Sequence, residues 1–313
     1  MGTRHGMGLF LEPVTSALGI DMETFSLTVA WQNLIHALPI FGILSDLLGF
    51  RRIALLGGVV YGAGLWLASH SETALGLYTN LGGVVGIGIG LSGMIVVMGA
   101  VGQVAPPERR STAFGVVTVA FSIGMFVMAP LIQYLINYYG WSRALQAGGG
   151  LVLIISLLAL GLPGNTSKRE KNTEPKADSE LTLLETINGA MSHSGYLLLN
   201  VGFFVCGFHV AFIGTHLPSF LQSEGISVST ASWALAMIGL FNMFGSMIFG
   251  RMGDSLSKKN LLSLLYTLRS VVIAGFIAIP INEITAIVFG AAIGFFWLAT
   301  VPLTSVILAQ VFG

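Results

Sequence analysis

Two stretches of this sequence place an aspartate, glycines and paired bases at matching intervals: GILSDLLGFRR, Gly42 to Arg52, and GRMGDSLSKK, Gly250 to Lys259. Asp46 follows Gly42, and Asp254 follows Gly250, by four residues. Bases come next, Arg51 and Arg52 after Gly49 in the first copy, Lys258 and Lys259 in the second. Such a loop can latch helix ends, because a carboxylate is favoured at a helix N-terminus and cations at a C-terminus. Other groups capable of chemistry lie within apolar runs. Arg4 and Arg269 each offer a planar fork that can hold a carboxylate with two hydrogen bonds. For Arg269 a structural pairing with a carbonyl or carboxylate between helices stands beside that reading. For Arg4 the rival is a place at the protein surface. His36, with Asn33 nearby, and His209 and His216 are groups that titrate near neutral pH. On a helix His209 and His216 share a face about 10 Å apart, too far for one metal, and no carboxylate or cysteine completes such a site. Metal and cofactor are both expected to be none. There is no nucleophile with its base, and no carboxylate pair, to make catalytic residues, so an enzyme is not expected. The absence of a GxxxxGK[ST] loop argues against an ATP-driven pump. Cys206, the single cysteine, reads as a small apolar packing residue.

The surroundings of these residues are set by composition. Apolar residues make up 54% of the 313 positions and charged ones 9%, with a mean hydropathy of +0.84. The solvent is therefore lipid. Zero net charge, 14 basic against 14 acidic residues, leaves no basic patch for a nucleic acid. Stretches of about 20 apolar residues, the length of a membrane helix, fall near 24–46, 53–69, 73–104, 111–136, 141–162, 195–221, 228–250, 260–280 and 283–308. The segment before residue 19 reads as the latter part of one more. Arg51, Arg52, Arg109, Arg110, Lys168, Arg169, Lys171, Lys176, Arg251, Lys258 and Lys259 all fall in alternate loops, and Arg143 lies opposite them beside Asp21, Glu23, Glu72, Glu224 and Glu283. The positive-inside rule puts the first set in the cytoplasm. The polar stretch from Gly164 to His193 reads as a flexible cytoplasmic linker, with a short amphipathic helix around Leu181 to Ile187. Each acidic and basic loop then joins the second and third spans of its own half. Two such halves on a long cytoplasmic loop suit a rocking carrier with its site between them at mid-membrane. Pro39, Pro130, Pro218, Pro280 and Pro302 are candidate bends.

Gly42, Asp46, Gly49, Arg51 and Arg52 resemble the signature loop of the major facilitator superfamily. Gly250, Asp254, Lys258 and Lys259 resemble a degenerate second copy, in which Ser257 replaces the second glycine; Leu47 and Ser255 stand where a base is common. GLFLEP, PPERRSTAFG, YYGWSRAL, CGFHVAFIGTHLP and WLATVPLTS are similar to segments of bacterial carriers in the monocarboxylate transporter and oxalate/formate antiporter branch. The resemblance implies an all-α integral membrane protein with an incomplete major facilitator superfamily fold, about ten of twelve transmembrane helices with the first one partial. Its expected divisions are 1–162, a six-helix half; 163–194, a cytoplasmic linker; and 195–313, helices seven to ten. The implied function is that of a secondary transporter, symporter or antiporter, moving a small organic anion by alternating access, proton-coupled or by exchange. A bacterial inner (plasma) membrane is the implied location, with lipid phosphates near the loop bases. A major facilitator carrier of a different small solute, and an inactive truncated fragment, are the alternatives. The substrate-binding candidates are Arg4, Asn33, His36, His209, His216 and Arg269. The gating candidates are the two loop motifs. In the family the loop aspartate lies near a helix N-terminus of the opposite half: for Asp254 this is the fifth span at Ser111, for Asp46 the eleventh. The monocarboxylate carriers of animals use an acid and a base on the eighth span, where this chain has Asn242 and Ser246.

Overall fold

A computed structural model of the chain describes residues 2–106, 110–162, 189, 191–301, 303–304 and 307, with the side chains at 110–112, 155, 254 and 255 outside the description. Every regular element among them is helical. Span one is α1 (Gly2–His5), a 3-10 segment (Gly6–Phe10) and α2 (Leu11–Leu18). Span two is α3 (Met22–His36) with α4 (Ile40–Leu48), and span three is α5 (Phe50–Ala68). Span four joins α6 (Ala74–Leu77), a π turn (Tyr78–Val84), α7 (Val85–Ser92) and α8 (Met94–Val104). Spans five and six share one helix, α9 (Arg110–Ser156), which a 3-10 turn (Leu157–Gly161) extends. Spans seven to nine are α10 (Ser194–Ser223), α11 (Val228–Ser255) and α12 (Lys258–Ala278). Span ten opens with α13 (Glu283–Phe295).

Six of these helices, or seven if a bent pair is one span, are long and apolar enough to cross a membrane. That is fewer than the ten segments expected from the sequence, and particular residues explain the difference. Pro39, with no N–H and a restraint on the residue before it, bends α3 from α4 by 43°. Gly140 (φ 80°, ψ 165°) reverses α9 without a loop. Gly2 lies beside Gly124 while Thr3 lies beside Gly148, so both limbs of α9 flank span one. α13 is only 13 residues long, because span ten breaks after Phe295. Large apolar side chains such as Leu198, Phe204, Leu158 and Ile277 face outward, the arrangement lipid favours. The expected helix at Leu181 to Ile187 and nearly all of the linker lie outside the described residues.

One turn occurs twice. After span one, Gly19 (φ 64°) is followed by Ile20, whose N–H reaches the Thr15 carbonyl, and Asp21 caps α3 by accepting from the Thr24 N–H at 2.7 Å. After span seven, Gly225 (φ 81°) is followed by Ile226, whose N–H reaches the Leu221 carbonyl, and Ser227 caps α11 by accepting from the Thr230 N–H at 3.1 Å. Left-handed glycine, apolar anchor and side-chain cap form the same solution to the same reversal. Hydrogen bonds from Thr24 hold the exposed Asp21 carboxyl below the usual carboxylate range.

Span eight packs on span ten and on span five through small residues, which let helix backbones close in where lipid gives no hydrophobic drive. A Cβ on Gly245 would collide with the Phe295 carbonyl, and one on Gly290 with that of Ala234. Gly207 on span seven has open space instead. Gly245→Val is therefore expected to lower Tm in detergent, since overpacking of this kind costs about 1–3 kcal/mol. Gly207→Ala, read in the same melt, is expected to hold or raise it.

Candidate functional site

Polar side chains gather where span one meets spans two and eight. Arg4 leaves α1 with its guanidinium on Asn33, Nη2 to Oδ1 at 2.5 Å. The Asn33 amide nitrogen donates back to the Val29 carbonyl at 2.8 Å, so the acceptor is held by its own helix. One turn on, His36 Nδ1 lies 3.2 Å from the Gln32 carbonyl. The three expected residues Arg4, Asn33 and His36 thus form one half-buried group. Gln32 sits beside them, its Nε2 donating to Leu81 of span four at 2.8 Å, while its Oε1 has no partner among the described residues. The next residue after Arg4 crosses to the second half: His5 Nε2 is 3.0 Å from the Leu235 carbonyl of span eight, and its ring meets Trp297 of span ten edge-on.

The remaining candidates stand apart. Arg269 is fully buried on span nine. Its Nη2 donates to the carbonyls of Phe296 and, at 2.6 Å, Trp297, and Nη1 to Cys206 Sγ at 3.2 Å. The Tyr266 ring lies under its guanidinium at 5.8 Å. This is the pairing with carbonyls between helices that the sequence left open. His209 and His216 are half-buried on span seven; His216 leans on Phe212 with centroids 5.0 Å apart, and neither hydrogen-bonds to the Arg4 group. Cys206 is buried, but it is no mere apolar filler: its sulfur meets both Arg269 and the Thr300 hydroxyl, the latter at 3.3 Å.

A second polar node lies on span eight. Asn242 is fully buried; its Nδ2 donates to Ser122 Oγ of span five at 2.8 Å, and its Oδ1 accepts from the Leu298 N–H at 2.9 Å and from Ser246 Oγ at 3.3 Å. The pair Asn242 and Ser246 could be read from the sequence. Ser122, His5 and Trp297 could not, since their signal is a partner in another span.

Of the loop motif, Gly49 carries the clearest structural demand. It ends α4 and starts α5 at φ 90°, ψ 138°, a conformation nearly exclusive to glycine. Gly42 and Gly250 have open space around them. Arg51 Nε donates to the Leu162 carbonyl at 2.8 Å, capping the end of span six. Asp46, Arg52 and Lys259 are exposed and Lys258 is half-buried. The expected seat of Asp254 near Ser111 involves side chains outside the described residues.

Span one is also shut against span seven. Leu11 and Val14 of span one, Leu217 and Leu221 of span seven and Ile226 share one buried cluster, and a Cβ on Gly8 would strike the carbonyls of Gly214 and Thr215.

Comparison with known proteins fits this architecture. A model of the Major Facilitator Superfamily matches residues 2–313. Monocarboxylate transporter 12 of Mus musculus is 25% identical over 307 residues, covering 88% of this chain and 62% of its own length. Monocarboxylate transporter 13 of Rattus norvegicus is 27% identical over 287 residues, with the same coverage of 88% and 62%. The uncharacterized MFS-type transporter YhjX of Escherichia coli (strain K12) is 20% identical over 319 residues, covering 100% of this chain and 77% of its own. The chain thus spans less than two thirds of the two monocarboxylate transporters.

The geometry of Gly49 makes a direct demand on the motif. Gly49→Ala is expected to destabilise by about 1–3 kcal/mol, the cost of a side chain in that region of backbone space. Gly42→Ala, with room for its methyl, is expected to leave the thermal melt nearly unchanged.

Proposed function

The chain belongs to the Major Facilitator Superfamily, and on that premise we propose that it moves a small carboxylate by alternating access, coupled to protons or to exchange. One observation carries the reading: Arg4 stands in an apolar span with its guanidinium on Asn33, beside a histidine bonded to the opposite half. A charge there costs roughly 2.5–3.5 kcal/mol on insertion scales and is kept where it serves a polar path. A guanidinium at the seam between two halves can grip a carboxylate in either state, because both halves approach it. The names of the two mammalian relatives point to the same substrate class.

The two-half division at 1–162, 163–194 and 195–313 goes with this mechanism, and the repeated turn at Gly19 and Gly225 supports it. The outer packing of spans one and seven suits a state open to the inside. His36, next to Arg4, is a proton candidate together with His209 and His216 of span seven. Arg269 ranks behind Arg4 as an anion site because both of its terminal nitrogens are already engaged. The loop around Asp46, Arg51 and Arg52 and its counterpart around Asp254, Lys258 and Lys259 act as the cytoplasmic latch, a role that the tie from Arg51 to span six supports. The basic loops would face a bacterial cytoplasm, the membrane being the inner one. The family and the named relatives point to a transporter rather than an enzyme.

A second reading, a carrier of a different small solute, is favoured by the uncharged Asn242 and Ser246 on span eight. Uptake of labelled mono- and dicarboxylates into proteoliposomes separates the two. Saturable uptake is expected, with KM raised about tenfold or more in Arg4→Ala, the loss of a charge-assisted hydrogen bond, and less in Arg4→Lys. An inward proton gradient speeds a symporter, whereas internal unlabelled carboxylate speeds an exchanger. Equal competition by the corresponding neutral amides would sink the carboxylate assignment and favour the other solute.

A further inference from the structure

Span ten is made of two helical pieces. α13 stops at Phe295, turns run through Phe296–Ala299, and helix resumes at Thr300. Non-helical backbone at membrane depth is tolerated only where its freed polar groups find partners within the protein. Here the partners come from two neighbouring spans. Arg269 of span nine donates to the carbonyls of Phe296 and Trp297, which stand at the negative end of α13, where a cation is favoured. Asn242 of span eight accepts the Leu298 N–H at 2.9 Å, and its amide nitrogen reaches Ser122 in the first half at 2.8 Å. Trp297, inside the break, meets the His5 ring with centroids 6.1 Å apart, and His5 follows Arg4 directly in the chain.

We infer that Arg269 and Asn242 are positioning residues that clamp the break of span ten, and that through Trp297 and His5 this break sets where the Arg4 and Asn33 site stands. Its bearing on transport rests on the carrier reading above; the clamp itself does not. Neither residue touches the anion, since each acts through the backbone of span ten. Two carbonyls and a sulfur need several donors in a fixed plane, which a guanidinium supplies and an ammonium supplies only in part.

Cys206 reports on the clamp. It is the single cysteine of the sequence, is buried, and is held by Arg269 and Thr300. In membranes carrying the whole chain, N-ethylmaleimide is expected to label native Cys206 slowly. Labelling should quicken about tenfold or more in Arg269→Met and in Asn242→Ala, the effect of one lost buried hydrogen bond, with Arg269→Lys in between. Because both residues hold one break, the double variant should label no faster than the quicker single one, a departure from independence. In uptake, Arg269→Met and Asn242→Ala should lower the maximal rate and leave KM near its native value, whereas Arg4→Ala raises KM. Labelling indifferent to either substitution, effects that multiply in the double variant, or a raised KM at constant maximal rate in Arg269→Met would each overturn the proposal. Asn242→Ser, which keeps a hydrogen-bonding group in less volume, replaces Asn242→Ala if that variant does not insert. The labelling needs no substrate, so a lack of uptake for every carboxylate would count against the carrier reading and leave the test of the clamp intact.

Discussion

Lipid offers no hydrogen bonds, and this one constraint orders the molecule. At several places within the described residues where the backbone departs from helix, a side chain or a special residue answers for it. Asp21 and Ser227 cap the starts of spans two and eight. Asn282 and Thr285 cap each other's backbone at the start of span ten. Arg51 closes the end of span six. Where span ten breaks in mid-course, Arg269 supplies the donors and Asn242 the acceptor. The same requirement explains why so few polar side chains are idle in a chain of this composition. Among the described residues, buried atoms without a partner remain on Gln32, Tyr61, Gln133, His209, Ser219 and, at its Nε, Arg269.

The joint between the halves is neutral where it is tightest. Asn242 to Ser122 and His5 to Leu235 are hydrogen bonds between uncharged or weakly basic groups, and around them glycines bring backbones together. Bonds of this strength, about 0.5–1.5 kcal/mol net, can be exchanged for others without a large barrier. A buried ion pair in the same place would be costly to open, because parting it strands two charges in a low dielectric.

Much of this was legible beforehand. Hydropathy marks nine long apolar stretches, because a membrane helix needs about 20 such residues, and the shorter segment before residue 19 reads as part of one more. Gly49 and Arg51 were marked by a motif whose backbone and charge demands are local. What remained hidden was relational. The reversal between spans five and six falls where the apolar stretches 111–136 and 141–162 leave a gap, but that a single residue, Gly140, makes it does not show in the sequence, since glycine in a membrane helix also serves packing, as at Gly245. The break after Phe295 lies in an apolar run that reads as continuous, because its stabilising partners are on spans eight and nine. Cys206 was taken as filler because its role depends on Arg269, which is distant in sequence. His5 carries no signal of its own beyond the company of Arg4.

The loopless reversal at Gly140 has a mechanical side. Spans five and six meet at a single residue, Gly140, with no loop between them. One limb bears on span eight through Ser122 and Asn242, and the other ends at Leu162 under the grip of Arg51. With no loop between the limbs to take up a displacement, the anchorage of one bears directly on the other.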